Sequence, residues 1–194
     1  MGPQRFQLFA LIALAAFPLL PPRALSSIPQ EDPQEATAKQ KLEEALTIVR
    51  DTKLRESDPE RVIRAIEQLG QLHDPDAIGD LVELLTFRNW APWEKDPNKA
   101  VDFSMPRSRG MIYPAVNALK EIGTASMPAI VKVIATNDPN SLETQNAMEV
   151  IIYLSRGKRE KYVEDFKREA ARAASPQAAQ RLLKAAEVLE QSKR

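Results

Sequence analysis

Asp-Pro pairs and glycines divide the centre of the chain into short segments, and this punctuation constrains the fold more than any other feature. Asp58-Pro59 and Asp74-Pro75 each place a helix-capping residue before a proline, which is favoured at the first position of a helix. Gly70 is a suitable helix end, because only glycine enters the left-handed cap conformation at little cost. The sequence therefore predicts helices over 59–69 and 75–87, and the short turn between them requires antiparallel packing.

The same pattern recurs further along the chain. Ala118–Gly123 echoes Ala65–Gly70, and the segment 128–134 echoes 79–85. A further helix is predicted over about 141–155, followed by a break at Arg156-Gly157, a second helix of the pair, and a last helix after Ser175-Pro176. The predicted stripe of the penultimate helix is Tyr162, Val163, Phe166 and Ala170, and that of the last helix is Leu182, Leu183, Ala186 and Leu189.

Recurring helix pairs of this kind must stack, because a single pair cannot bury both of its apolar sides. Gly70 and Gly123 are 53 residues apart, whereas Ile122 and Leu154 are 32 apart, which is close to one helix pair. Helix-forming residues dominate the composition and aromatic residues make up only 6% of it. We predict an all-α fold, a short α-solenoid of stacked antiparallel helix pairs that turn in a right-handed superhelix.

Two segments carry a resemblance to a known family. ERVIRAIEQLGQLHDPDAIGDLVELL and VNALKEIGTASMPAIVKVI resemble the short HEAT repeats that are common in bacterial proteins. The resemblance is close over 58–87 and 115–136 and loose over 141–190. It implies a HEAT-like solenoid and carries almost no information on function.

The N-terminal residues have the features of a secretory signal peptide, which we place at 1–27. Arg5 precedes a segment, 6–20, that is apolar except for Gln7 and carries no charge. Its length falls short of the roughly 20 residues that span a bilayer. We expect a periplasmic or secreted protein with no stable membrane insertion after removal of the leader; the alternative is an N-terminal membrane anchor.

A Pro-rich linker is predicted over 28–34, and the HEAT-like domain over 35–191. The first helix of this domain is expected to run from about Glu35 to Leu54. Its apolar stripe consists of Leu42, Ala45, Leu46 and Val49.

An inserted loop at 88–110 interrupts the repeats, since the 53-residue spacing exceeds one period by about 21 residues. Long loops without helical periodicity are often functional, and Trp and Arg dominate interface hot spots. The candidate partner-binding residues are Arg88, Trp90, Trp93, Phe103, Arg107 and Arg109. Alternatively, the tryptophans fold back and fill the gap between repeats.

Catalytic, cofactor and metal sites are not predicted. The chain has no cysteine, and its one histidine, His73, is expected to be a turn residue before the cap Asp74. No glycine-rich phosphate loop is present. Nucleic-acid binding is not expected, because the net charge is zero and acidic residues interrupt the basic ones in 156–172. There, Lys161/Asp165 and Glu164/Arg168 have the i,i+4 spacing of a solvated helix.

We therefore expect a non-catalytic, exported module that binds a protein or peptide or serves as a scaffold. Two alternatives stay open. One is an accessory enzyme, since short HEAT-like repeats also resemble those of bilin lyases, although this chain lacks cysteine and its leader would export it. The other is an oligomerising envelope scaffold with 35–54 as the partner helix.

Overall fold

The computed structural model describes residues 33–89 and 109–192, and within these ranges the chain is helical with no strand. This confirms the all-α, HEAT-like prediction. The helices before the insertion are α1 (Pro33–Arg50), α2 (Thr52–Ser57), α3 (Pro59–Leu72) and α4 (Ile78–Glu83), the last preceded by a 3-10 turn, Pro75–Ala77. Those after it are α5 (Arg109–Ile112), α6 (Pro114–Ile122), α7 (Met127–Thr136), α8 (Leu142–Leu154), α9 (Arg159–Ala171) and α10 (Pro176–Gln191).

Side-chain caps start several of these helices at the expected places. The Asp58 carboxylate accepts a hydrogen bond from the Arg61 N–H at 3.1 Å, and Pro59 occupies the first turn of α3. The Ser175 hydroxyl oxygen accepts from the Ala178 N–H at 3.1 Å and caps α10 in the same way. Pro114 begins α6 and does not kink it. Each cap satisfies backbone donors that a helix start leaves unpaired, which fixes the boundary locally.

The helices pack in two rows. One row runs α3, α6, α8 and the other α4, α7, α10, with neighbours in each row in contact. α4 also packs on α6, and α7 on α8, so the second helix of each pair touches the first helix of the next. α1 covers the outer side of α3. Stacking of this kind buries a continuous apolar core between successive hairpins.

The predicted third pair differs from the observed packing. We expected α8 and α9 to form that pair, but α9 packs mainly on α10, and it is α10 that contacts α7. The apolar stripe of α9 is buried as predicted. Phe166, for example, is almost fully covered. In α10, Leu182, Ala186 and Leu189 are buried, whereas Leu183 is 49% exposed and was wrongly placed in the stripe.

Gly70 does not end its helix, which corrects the predicted boundary at 69. α3 continues to Leu72, and His73 closes it in the left-handed conformation with φ of 54°. Gly70 is buried where α6 approaches, and a Cβ atom there would lie 2.7 Å from the Ala118 Cα. Its missing side chain therefore permits close helix packing. His73 is a turn residue, as predicted.

Two other helix boundaries also differ from the predicted ones. The first helix ends at Arg50, and Asp51 accepts a hydrogen bond from the Lys53 N–H at 2.9 Å, which starts the separate helix α2. The predicted helix over 75–87 is a 3-10 turn followed by α4, whose regular part ends at Glu83. In both places a local turn interrupts a continuous apolar pattern.

The expected signal peptide at 1–27 and nearly all of the linker at 28–34 lie outside the described residues, although α1 already begins at Pro33. Among the helices that the structure describes, none combines the length and the apolar character needed to cross a bilayer.

Candidate functional site at the base of the insertion

Two of the six candidate binding residues, Arg88 and Arg109, lie in the described part of the chain. Arg88 is exposed at the end that enters the insertion, and Arg109 begins α5 at the end that leaves it. The other four candidates lie outside the described residues: Trp90, Trp93, Phe103 and Arg107. The part of the site that lies within the described residues is the base of the insertion, which consists of Arg88 and Asn89 at one end and Arg109–Tyr113 at the other.

The two ends of the insertion meet. The Asn89 N–H donates a hydrogen bond to the Ile112 carbonyl at 2.7 Å, although 23 positions separate them in sequence. The Tyr113 N–H donates to the Arg109 carbonyl at 2.7 Å and continues the turn into α6. The segment thus leaves and re-enters the repeat stack at one place, as in a loop whose ends are close.

Arg109 is anchored on α8. Its Nη1 donates to the Asn146 Oδ1 at 3.1 Å, and its Nη2 donates to the Gln145 Oε1 at 2.8 Å. Asn146 is fully buried, and its Nδ2 donates to the Leu85 carbonyl at 2.7 Å. One buried amide therefore joins the chain just before the insertion to the arginine at the C-terminal end of the insertion. Buried polar groups need such partners, because an unpaired one loses its hydration without compensation.

A shallow cleft of about 390 Å³ lies beside this base, between α3 and α6. Its polar walls include Glu67, Gln71, Asn117 and Glu121. Met111 also lines it and is 62% exposed. The cleft thus combines two carboxylates with an exposed thioether.

Comparison with protein families identifies one of the repeats. Residues 63–87 match the family model described as the PBS lyase HEAT-like repeat. The chain contains a HEAT-like repeat. No curated protein and no solved structure matches the chain.

The matched HEAT-like repeat ends where the insertion begins. It covers most of α3, all of α4 and the residues up to Phe87, and the second hairpin, α6 and α7, stacks on it. Arg109 and Asn146 thus tie the end of the matched repeat to α8. The base of the insertion is consequently held by the end of the matched repeat and by α8, which are distant from each other in sequence.

Asn146 and Met111 were missed by sequence reasoning. Asn146 stands directly before Ala147 on a helix whose buried residues are otherwise mostly apolar, so a polar residue within that stripe was the available signal. Met111 gave no signal, because its exposure depends on where the two ends of the insertion meet.

A shifted pKa is found away from the base of the insertion. Arg50 on α1 donates two hydrogen bonds to the Asp80 carboxylate, at 2.8 and 2.9 Å, and these bonds and the charge of Asp80 raise the pKa of Arg50. Neither residue lines the cleft at the base of the insertion. Within the described ranges, no three side chains of the His, Cys, Asp or Glu type are grouped to hold a metal ion.

Proposed function

We propose that this chain is an exported, non-catalytic module that binds a protein or peptide through the insertion at 88–110. The observation that carries the proposal is the anchoring of both ends of the insertion on each other and on α8. A loop held in this way loses less conformational freedom when a partner binds, so more of the contact energy appears as affinity. HEAT-like stacks supply a rigid support of this kind.

The surroundings of the base support a protein or peptide partner. Met111 is exposed beside the polar cleft, and Trp and Arg residues within the insertion are the types that dominate interface energetics. Arg109 itself holds the loop in place through Asn146 and Gln145, so its contribution to a partner would be indirect. We assign it the role of a positioning residue.

Site-specific photo-crosslinking tests the location of the partner. A photoreactive residue replaces Met111 in one variant and Leu183, an exposed residue of α10, in a matched control. We expect partner adducts from position 111 and few from position 183. We also expect the Trp90→Ala/Trp93→Ala variant to lose the adducts from position 111. Equal adduct yields from both positions, or yields unchanged by the double substitution, would exclude the insertion as the site.

Export is tested separately. The proposal rests on the apolar, uncharged segment that follows Arg5. Mass spectrometry of the protein recovered from its native host should find a mature N-terminus near residue 25 or 28, in the envelope or the medium. An intact N-terminus in the membrane fraction would instead favour the anchor.

The enzymatic alternative has one observation behind it, the description of the matched family as a PBS lyase repeat. Incubation of the purified protein with a linear tetrapyrrole tests it, and a shift of the absorbance bands would favour it over the binding module. The scaffold alternative predicts oligomers, which light scattering after size exclusion would detect.

A further inference from the structure

The two ends of the described chain differ in charge. Residues 33–89 carry 12 acidic and 8 basic side chains, whereas residues 156–192 carry 9 basic and 6 acidic ones. The zero net charge of the whole chain conceals this asymmetry. The basic excess lies on the α9–α10 hairpin and the turn before it.

A cleft of about 880 Å³ opens on this basic hairpin, around the turn at Gly157 and the first half of α9. Its apolar floor is the buried Val163. Five of its lining residues are cationic: Arg156, Lys158, Arg159, Lys161 and Lys167. Three are acidic: Glu160, Glu164 and Glu190.

Several of these cations have no acidic partner within the part of the chain that the structure describes. Lys167 pairs with Glu190 at 2.7 Å. Further along α9, Arg168 pairs with Asp165 and not with Glu164, so the predicted i,i+4 pair is replaced by an i,i+3 pair. Asp165 is thereby engaged away from Lys161. Lys158, Arg159 and Lys161 are left facing the cleft without an ion pair.

Arg159 carries a second signal. Its Nε is buried and, in the described ranges, is the one buried side-chain nitrogen or oxygen atom without a hydrogen-bond partner. An unsatisfied buried donor destabilises the structure unless something compensates for it. The Arg159 side chain also lines the cleft, where an incoming carboxylate would supply a charge partner for the guanidinium.

An aromatic neighbour extends the basic surface. The Arg156 guanidinium lies 4.9 Å from the centre of the Tyr153 ring, and the Lys120 ammonium lies 5.3 Å from it. Tyr153 is 42% exposed on α8. Stacking on the ring orients Arg156 at the mouth of the cleft and reduces the freedom that binding would otherwise remove.

We propose that this cleft binds an acidic peptide segment of a partner protein. The claim rests on the proposed binding function and assigns to it a second contact surface and a partner chemistry. Glu160 and Glu164 lie one turn apart between the cations, so a polyanion that carries a charge on every unit, such as a nucleic acid or an anionic bilayer, would meet repulsion. Separate carboxylates on a peptide reach Lys158, Arg159 and Lys161 individually, and the apolar floor accommodates an uncharged residue between them.

Fluorescence anisotropy with a labelled peptide of alternating Glu and Ala tests this inference. We expect it to bind roughly tenfold more tightly than the peptide with Gln in place of Glu, which corresponds to one or two charge-assisted contacts. Binding should weaken as NaCl rises from about 50 to about 300 mM, because the cleft is open to solvent.

Matched variants separate the site from net charge. Lys158→Gln/Lys161→Gln should weaken binding of the Glu peptide by roughly tenfold. Lys132→Gln/Lys184→Gln removes the same charge from exposed lysines of α7 and α10 that do not line this cleft, and should change the affinity by less than about twofold. Circular dichroism confirms that both variants fold. Equal weakening by the two variants, equal binding of the Glu and Gln peptides, or tighter binding to duplex DNA or to phosphatidylglycerol vesicles would overturn the proposal.

Failure here is distinguishable from failure of the proposed function. Adducts from position 111 without binding of the Glu peptide would overturn the acidic site and leave the insertion as the binding surface. Binding of the Glu peptide without adducts from position 111 would support the basic cleft and reject the insertion.

Discussion

The α3–α6 junction and the α9–α10 hairpin are both pairs of packed helices, but they use their side chains in opposite ways. In the junction, Gly70 brings two backbones together and the neighbouring aliphatic residues are fully buried. In the hairpin, α9 buries one stripe and presents charged residues elsewhere, and three cations in α9 and at its N-cap have no ion pair in the described chain. The difference teaches that close backbone packing fixes the α3–α6 junction, whereas the α9–α10 hairpin leaves cations exposed, which is the feature that the proposed acidic-peptide site requires.

Among the substitutions that test this comparison, replacement of Phe166 should have the largest effect on the free energy of unfolding. Phe166 is 1% exposed and anchors α9, so Phe166→Ala should lower the free energy of unfolding by about 4 kcal/mol. Leu183→Ala on the exposed side of α10 should change it by less than about 0.5 kcal/mol. Urea denaturation followed by circular dichroism measures both. Because α10 packs on α7, we expect a single transition; a separate early transition would show that the hairpin unfolds alone.

Gly70→Val tests the close approach in the junction. The new side chain would meet the Ala118 backbone, so one helix must move, and we expect a loss of about 3 kcal/mol of stability. The same change at Gly79, where a Cβ would have nothing within 4 Å, should cost less than about 0.5 kcal/mol. Similar thermal stability of the two variants would contradict the assigned role of Gly70.

Asn146→Leu removes the amide that joins the base of the insertion to the stack. The Leu85 carbonyl and the Arg109 guanidinium would each lose a hydrogen bond, and we expect a loss of about 2 kcal/mol. Arg109→Ala should cost about 1 kcal/mol, because Arg109 is only partly buried. Chemical denaturation gives both values. Hydrogen exchange at the Asn89 and Tyr113 amides should accelerate in both variants. Unchanged exchange would show that the buried amide does not stabilise the base of the insertion.

Ser175→Ala tests the cap of α10 and, controls apart, should have one of the smallest effects on stability among these substitutions. The Ala178 N–H would lose its acceptor, and we expect a loss of about 1 kcal/mol. Ser175→Asp, which keeps an acceptor, should retain most of the stability. Thermal unfolding of the three proteins checks this order, and equal destabilisation by Ala and Asp would show that the side chain does not act as a cap.

Much of the fold followed from local signals. Asp58 and Ser175 cap the helices that they were predicted to cap. The buried stripe of α9 was also correct, because helical periodicity records which side chains face inward. The boundary at Gly70 was wrong, because glycine serves equally as a helix end and as a point of close packing, and the sequence signal is the same for both.

The candidate site was less accessible to sequence reasoning. The anomalous spacing located the insertion, and its composition indicated an interface, but the role of Arg109 depends on Asn146, 37 positions away. The basic cleft was interpreted as a solvated face, because the i,i+4 spacing suggested that Glu164 would pair with Arg168. Side-chain rotamers decide which neighbouring carboxylate an arginine pairs with. Sequence spacing alone does not fix these rotamers.

The sequence by itself determined the helical class, the repeat and most helix starts, because capping and apolar periodicity act over a few residues. Only the tertiary structure decided that α10 packs on α7, that Gly70 admits α6, and that Asn146 links the two ends of the insertion. These features join residues that are distant in sequence. Their contacts exist only once the hairpins stack, so no local pattern encodes them individually.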